Sequence, residues 1–109
     1  MKPAILSPQS REEFLEAIRW IAKDNPASAK ALKNAVYQAA RNLGNLPLSG
    51  YERTNLASSP IRFLPLTGFP YIIVYDAALK PPVILRFLHA ARDLPEIMSS
   101  ASFVRLSKF

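Results

Sequence analysis

Apolar residues recur along this chain with two different periods, and the change from one to the other divides it. Between Phe14 and Leu43 the spacing is helical. Phe14, Leu15, Ile18, Ile21 and Ala22 make one stripe, and Ala29, Leu32, Val36, Ala39 and Leu43 make a second. From Ile61 to Glu96 the apolar residues come instead in short runs rich in Ile, Val, Leu, Phe and Tyr. Ile61–Leu66, Tyr71–Tyr75 and Val83–Ala90 therefore read as three strands. Thr67-Gly68-Phe69-Pro70 and Ala78-Leu79-Lys80-Pro81-Pro82 separate them. Connections this short place consecutive strands antiparallel, because a parallel crossover needs a dozen or more residues.

The ends of the two helices are marked as well. Ser7-Pro8 predicts a cap followed by proline at the first helical position, while Ser10-Arg11-Glu12-Glu13 has capping-box spacing and predicts a rival start. Asp24-Asn25-Pro26 stops the first helix and starts the second, with Asn25 as cap. Gly44 stands where a glycine commonly follows the last helical residue. Together the two segments predict a helical hairpin, and the alanines at 27, 29, 31, 35, 39 and 40 permit close approach to a neighbour. Trp20 lies well off the first stripe, placed either at the rim of the buried face or as an anchor for a partner.

Residues 3–6 (Pro-Ala-Ile-Leu) predict a short edge strand before the first helix. Asn45 to Ser59 has no periodicity and predicts a surface loop, with Tyr51-Glu52-Arg53 available to a partner. Ile97–Phe109 forms a tail that either packs back on the domain or orders against a partner. The fold class predicted is α+β: an N-terminal helical hairpin packed on a small antiparallel β-sheet, in one domain spanning residues 1–109.

One feature of this pattern has a physical consequence. A sheet covered on one face alternates apolar and polar residues. Here Tyr71, Ile73 and Tyr75 oppose Ile72 and Val74, and Val83, Leu85 and Phe87 oppose Ile84 and Leu88. Both faces are apolar, and a single hairpin covers only one. The other calls for the tail, self-association or a second chain, since each aliphatic side chain left wet forgoes about 1.5–3 kcal/mol.

Composition narrows the class. The 109 residues carry a formal charge of +6. Lys2, Arg11, Arg19 and Lys23 cancel Glu12, Glu13, Glu16 and Asp24, so the surplus lies from Asn25 onward. That balance suits nucleic acid or an acidic protein as partner. There is no cysteine, hence no disulfide framework or thiolate metal site. No apolar run has the length of a signal peptide or of a membrane span, about 18 residues, so a soluble cytoplasmic protein is expected.

Candidate chemistry is sparse. Gly occurs at 44, 50 and 68 only, which excludes a glycine-rich phosphate loop. One histidine and no cysteine leave no metal-ligand spacing, and no nucleophile elbow supports a Ser-His-Asp triad. Neither a metal nor another cofactor is expected. What remains is Arg62, Arg86, His89 and Arg92. Arginines around a histidine can hold a phosphodiester and shuttle a proton. Equally, Arg86 and His89 can be structural hydrogen-bonders at a strand end, with Asp93 pairing an arginine.

The helical hairpin, the loop, and then Arg62-Phe63-Leu64-Pro65-Leu66, Tyr71-Ile72-Ile73-Val74-Tyr75 and Val83-Ile84-Leu85-Arg86-Phe87-Leu88-His89-Ala90-Ala91-Arg92-Asp93 resemble the ParE/RelE toxin superfamily of bacterial type II toxin–antitoxin modules. The resemblance runs from about Ile18 to Ile97, and its last segment is the most specific. It implies a small α+β toxin neutralised by a ParD-like antitoxin with an acidic tail and a DNA-binding ribbon-helix-helix part, so that DNA is met only through the antitoxin. RelE-like members cleave ribosome-bound messenger RNA, whereas ParE-like members poison DNA gyrase. The RelE-like pattern has arginine after the tyrosine of the middle strand and lysines at alternate positions of the strand before. Here those positions hold Ile72, Phe63 and Pro65. Apolar groups there do not stabilise a phosphodiester transition state. Nor does a terminal catalytic tyrosine stand near Ile97-Met98, although Arg92 can match a second RelE-like arginine.

The resemblance therefore implies a gyrase poison that traps the cleaved-DNA complex and has no catalysis of its own. Antitoxin contacts are expected at Trp20, Phe63, Ile72, Val74 and Arg86. Gyrase contacts are expected at Arg86, His89, Arg92, Phe103 and Phe109. The alternatives are a ribosome-dependent messenger RNA endonuclease using Arg62, Arg86, His89 and Arg92, and a non-toxic module that only binds its antitoxin.

Overall fold

The structure, a computed structural model, describes residues 2–93. Its elements are β1 (Ile5–Leu6), α1 (Pro8–Asp24), α2 (Pro26–Asn45), β2 (Ile61–Pro65), β3 (Tyr71–Asp76) and β4 (Val83–His89). The tail expected over Ile97–Phe109, with Phe103 and Phe109, lies outside the described residues.

Both helix starts follow from their caps. Ser7 is extended, and its hydroxyl accepts from the Ser10 amide at 3.2 Å, with Pro8 in the first turn. Asn25 repeats the device for α2, its side-chain oxygen accepting from the Ser28 amide at 3.1 Å. The later capping-box start does not form, because Ser10 and Glu13 are turned toward the sheet. The second stripe is buried throughout, with Leu32, Val36 and Leu43 wholly removed from water. Each of these contributes roughly 1.5–3 kcal/mol.

Gly44 has another role than the one expected. The helix runs through it to Asn45, and a Cβ at 44 would overlap the Lys2 carbonyl oxygen. Its bareness lets the N-terminal strand approach, where the Ala4 amide donates to the Ala40 carbonyl at 2.8 Å.

The sheet order is β1-β4-β3-β2. β2, β3 and β4 are antiparallel neighbours, as their short connections require. β1 joins the other side of β4 in parallel, pairing Ile5 with Val83 and Leu6 with Ile84. The sheet is therefore mixed rather than purely antiparallel. The helical hairpin between β1 and the other strands supplies the long connection that parallel pairing needs.

Past Leu6, the edge of β4 is taken over by the first turns of α1. The Ser7 amide and the Ser10 hydroxyl donate to the Ile84 carbonyl, at 2.9 and 2.7 Å. The Ser7 hydroxyl donates to the Leu85 carbonyl at 3.1 Å, and the Phe87 amide donates to a Glu13 carboxylate oxygen at 2.9 Å. At the opposite edge Tyr51 and Phe63 exchange both backbone hydrogen bonds, each 2.8 Å, and Pro65 has no N–H to offer.

Strict alternation fails in β4. Tyr75 pairs with Ile84 but Val74 with Arg86, so Leu85 is an extra residue in a β-bulge. Beyond it the faces exchange. Phe87 joins Ile84, Tyr71, Ile73 and Tyr75 under the helices, while Leu85 and Leu88 lie with Ile72 and Val74. The expected grouping of Val83, Leu85 and Phe87 is corrected accordingly. The face away from the helices is not an open patch either. Phe63, Ile72, Val74, Leu85 and Leu88 are buried there, and Leu56 and Ala57 of the preceding loop pack into the same cluster. That loop is tied down rather than free. The Tyr75 hydroxyl donates to the Pro47 carbonyl at 2.6 Å and accepts from the Gly50 amide at 2.9 Å.

Candidate functional site

A cleft of about 830 Å³ lies between α1 and the ends of β3 and β4. Its α1 wall is made by Glu13, Glu16, Arg19, Trp20 and Lys23, which lie within about a third of a turn of one another and share one side of the helix. Tyr71 and Phe87 form the floor, and Arg86, His89, Arg92 and Asp93 close the far side. A second recess of about 420 Å³ shares Trp20, Tyr71, His89 and Arg92 with the first and adds Phe69 of the β2–β3 turn. The two form one groove passing beneath Trp20.

Trp20 stands at the lip, 67% exposed, with the Lys23 ammonium 5.4 Å from its ring centre. Both readings of Trp20 keep their place: about a third of it is covered at the rim, and the rest is open to a partner. The aromatic floor is rigid. Tyr71 stacks on Phe87 at 4.9 Å, Phe87 meets Phe14 edge-on at 5.5 Å, and His89 meets Tyr71 edge-on at 5.5 Å.

Two cations of the cleft, Arg86 and Arg92, are matched by carboxylates of the same chain. Arg86 is buried, and its guanidinium donates to both Glu13 oxygens, with Nη2 to Oε2 at 2.6 Å and Nε shared between Oε2 at 3.0 Å and Oε1 at 3.2 Å. Such a two-pronged pair is strong because each charge supplies the other's hydrogen bonds. Arg92 and Asp93 pair at 2.8 Å. The hydrogen bond from Arg92 holds the Asp93 carboxyl below its ordinary range, with burial opposing, and in return raises the pKa of Arg92. Asp93 also accepts from the His89 amide at 2.9 Å, and His89 Nδ1 accepts from the Arg92 amide at 3.1 Å. With Nδ1 accepting, Nε2 bears the hydrogen of the neutral imidazole.

Three of the four basic residues singled out in the sequence, Arg86, His89 and Arg92, thus line one cleft. Arg62 does not. It pairs in register with Tyr75, whereas His89 pairs with Tyr71, a separation of roughly 13 Å along β3. There Arg62 anchors the loop, donating to the Gly50 carbonyl at 2.8 Å and pairing with Glu52 at 3.2 Å. Of the residues expected to meet an antitoxin, Trp20 is exposed and Arg86 lines the cleft, while Phe63, Ile72 and Val74 are interior. Among the described residues no group of three His, Asp or Glu side chains could hold a metal ion.

Sequence reasoning missed Glu13, Arg19, Lys23 and Tyr71. The spacing of 13, 16, 20 and 23 is the signal that could have joined Glu13 and Lys23 to Trp20. What this arrangement offers chemically is recognition: an exposed indole, mixed charge and a rigid aromatic floor. An extended, partly acidic segment would find both an apolar anchor and cations there.

Comparison with known families matches residues 4–94 to the family described as ParE toxin of type II toxin-antitoxin system, parDE. Among curated proteins none matches the chain.

Proposed function

The chain belongs to the ParE toxin family, the toxin side of a type II toxin–antitoxin module with an antitoxin as partner, and we propose that its target is DNA gyrase. In this reading the toxin binds gyrase, traps the complex in which DNA is cleaved, and performs no bond chemistry itself. One observation carries the reading: the cations that a ribonuclease would aim at a phosphodiester are neutralised within the chain. Arg86 is held by Glu13, Arg92 by Asp93, and Arg62 by Glu52 at the far end of the sheet. The positions where RelE-like members carry catalytic cations include Phe63 and Ile72, which are 1% and 4% exposed. Charge developing on a phosphate oxygen would find no free donor there.

The antitoxin, ParD-like with an acidic tail, engages Trp20 as an apolar anchor and passes over the Glu13–Arg86 pair. Phe63, Ile72 and Val74 are within its reach only if the residues covering them move aside. Gyrase is contacted through the end of β4, by Arg86, His89 and Arg92, together with Phe103 and Phe109. The complex works in the cytoplasm, and no helix among the described residues is long and apolar enough to cross a membrane.

The test is gyrase supercoiling with the purified chain, scoring linearised plasmid, beside translation of a reporter messenger RNA in a cell-free system. Loss of supercoiling with accumulated cleaved DNA and intact translation is the expected outcome. Blocked translation with codon-positioned cuts would replace this reading with the ribonuclease. Silence in both, with antitoxin binding retained, would leave a non-toxic binding module. Deleting Val104–Phe109 should abolish gyrase poisoning while antitoxin binding survives.

A further inference from the structure

The outer face of α2 carries positive charge and no negative charge. From Asn25 to Tyr51 the chain contains no Asp or Glu, and Lys30, Lys33 and Arg41 fall within that stretch. At about 100° per residue, Lys30, Lys33, Tyr37 and Arg41 lie within about a quarter turn of one another. They point away from Leu32, Val36, Ala39 and Leu43, which are buried against the sheet. All three cations are exposed, and among the described residues no salt bridge involves any of them.

The rest of this face is built of hydrogen-bonding groups. Arg41 donates to the Gln38 side chain at 2.9 Å, and Gln38 donates to that of Asn42 at 3.1 Å. The Lys33 ammonium lies 5.8 Å from the Tyr37 ring centre. Tyr37 is half exposed and braced behind by an edge contact with Phe14 at 6.4 Å.

We propose that this face binds the phosphate backbone of duplex DNA directly, beyond any contact made through the antitoxin. Two arguments select that occupant over an acidic protein. Protein interfaces are depleted of lysine and centre on apolar anchors. This row is lysine-rich, with amides beside it and one half-exposed tyrosine. Phosphate contacts, by contrast, come from Lys, Arg, Asn, Gln and Tyr, the residue types present. The geometry also fits. Lys30 to Arg41 spans about 16 Å of helix axis, close to five base steps of a duplex. The helix is formed and packed along its buried side, so the three charges are presented without folding or ordering a segment first.

The experiment is fluorescence anisotropy of a labelled duplex of arbitrary sequence, titrated with the full chain alone between 50 and 200 mM salt. Three neutralised phosphates predict a slope of about −2.7 for log affinity against log salt. The triple variant Lys30→Ala, Lys33→Ala, Arg41→Ala should bind at least tenfold more weakly, with a slope near zero and an unchanged circular dichroism spectrum. A control triple, Arg11→Ala, Arg53→Ala, Lys80→Ala, removes the same charge elsewhere and should stay within about twofold of the parent. Absence of binding by the parent would overturn the proposal, as would equal losses in the two triples. A first triple that keeps DNA but loses the antitoxin would assign the face to an acidic protein instead. Gyrase takes no part in this measurement, so its outcome is independent of the target named above.

Discussion

Glu13, on the first helix, holds the Arg86 guanidinium through Nε and Nη2 while accepting the backbone amide of Phe87 at 2.9 Å. One carboxylate thus closes the edge of β4, cancels a buried charge and fixes the angle at which α1 crosses the sheet. Its removal leaves a buried guanidinium and an amide unpaired.

Glu13→Ala should therefore lower the unfolding free energy by about 2–4 kcal/mol, read from urea denaturation. Arg86→Met should be milder, since Glu13 keeps the Phe87 amide and the recess beside it is open to water. A double-mutant cycle should show coupling between the two. Additive losses would mean the pair is incidental to the packing of α1.

Tyr75 predicts a second effect, at alkaline pH. Tyr75→Phe removes the partner of both the Gly50 amide and the Pro47 carbonyl, at a cost of about 1–3 kcal/mol. Burial raises the Tyr75 phenol above its ordinary value, and the Gly50 hydrogen bond and the Arg62 charge offset this only in part. In the unfolded chain the phenol ionises near pH 10, while the folded chain keeps its proton. Above about pH 10 the unfolded state binds fewer protons, so stability falls as pH rises. Chemical denaturation between pH 8 and 11 should show a steeper decline in the parent than in Tyr75→Phe.

Gly44→Ala sets two effects against each other. Alanine favours a helix interior by about 0.8–1.0 kcal/mol. Here its methyl group would overlap the Lys2 backbone, and such overpacking costs about 1–3 kcal/mol. We expect net destabilisation, with faster hydrogen exchange at the Ala4 amide. A stabilised variant would show that the N-terminal strand is dispensable.

Trp20 separates folding from recognition. It is two-thirds exposed, so Trp20→Ala should change stability by no more than about 0.5 kcal/mol. As an interface anchor it should contribute about 2 kcal/mol, near a thirtyfold loss of antitoxin affinity by calorimetry. An unchanged affinity would remove the groove beneath it from the antitoxin interface.

Local signals announced most of these elements. The caps at Ser7 and Asn25, both helical stripes and the three later strands follow from nearest neighbours in sequence, where propensity and periodicity act. The misreadings share a longer range. β1 pairs with residues almost eighty positions away, and the hairpin between them hides the relation. The bulge at Leu85 inverts the face of Phe87, and period-two counting assumes no extra residue. Glu13 read as part of a capping box because its partners on β4 are remote. The loop before β2 lacked any pattern because its covering residues, Leu56 and Ala57, are adjacent rather than periodic. In the cleft, Arg86, His89 and Arg92 were legible as a basic set, but their internal carboxylates were not, since ion pairing is decided by packing.

Both margins of the sheet are blunted. On one, β1 is only two residues long and the start of α1 occupies the backbone beyond it; on the other, Tyr51 bridges Phe63 and Pro65 has no amide to give. Exposed strand edges recruit like edges and seed aggregation. A toxin acts when its antitoxin is gone, and at that moment nothing shields it from other copies of itself. Among the described residues little backbone ladder is left to extend, which disfavours pairing of the freed chain with its own copies.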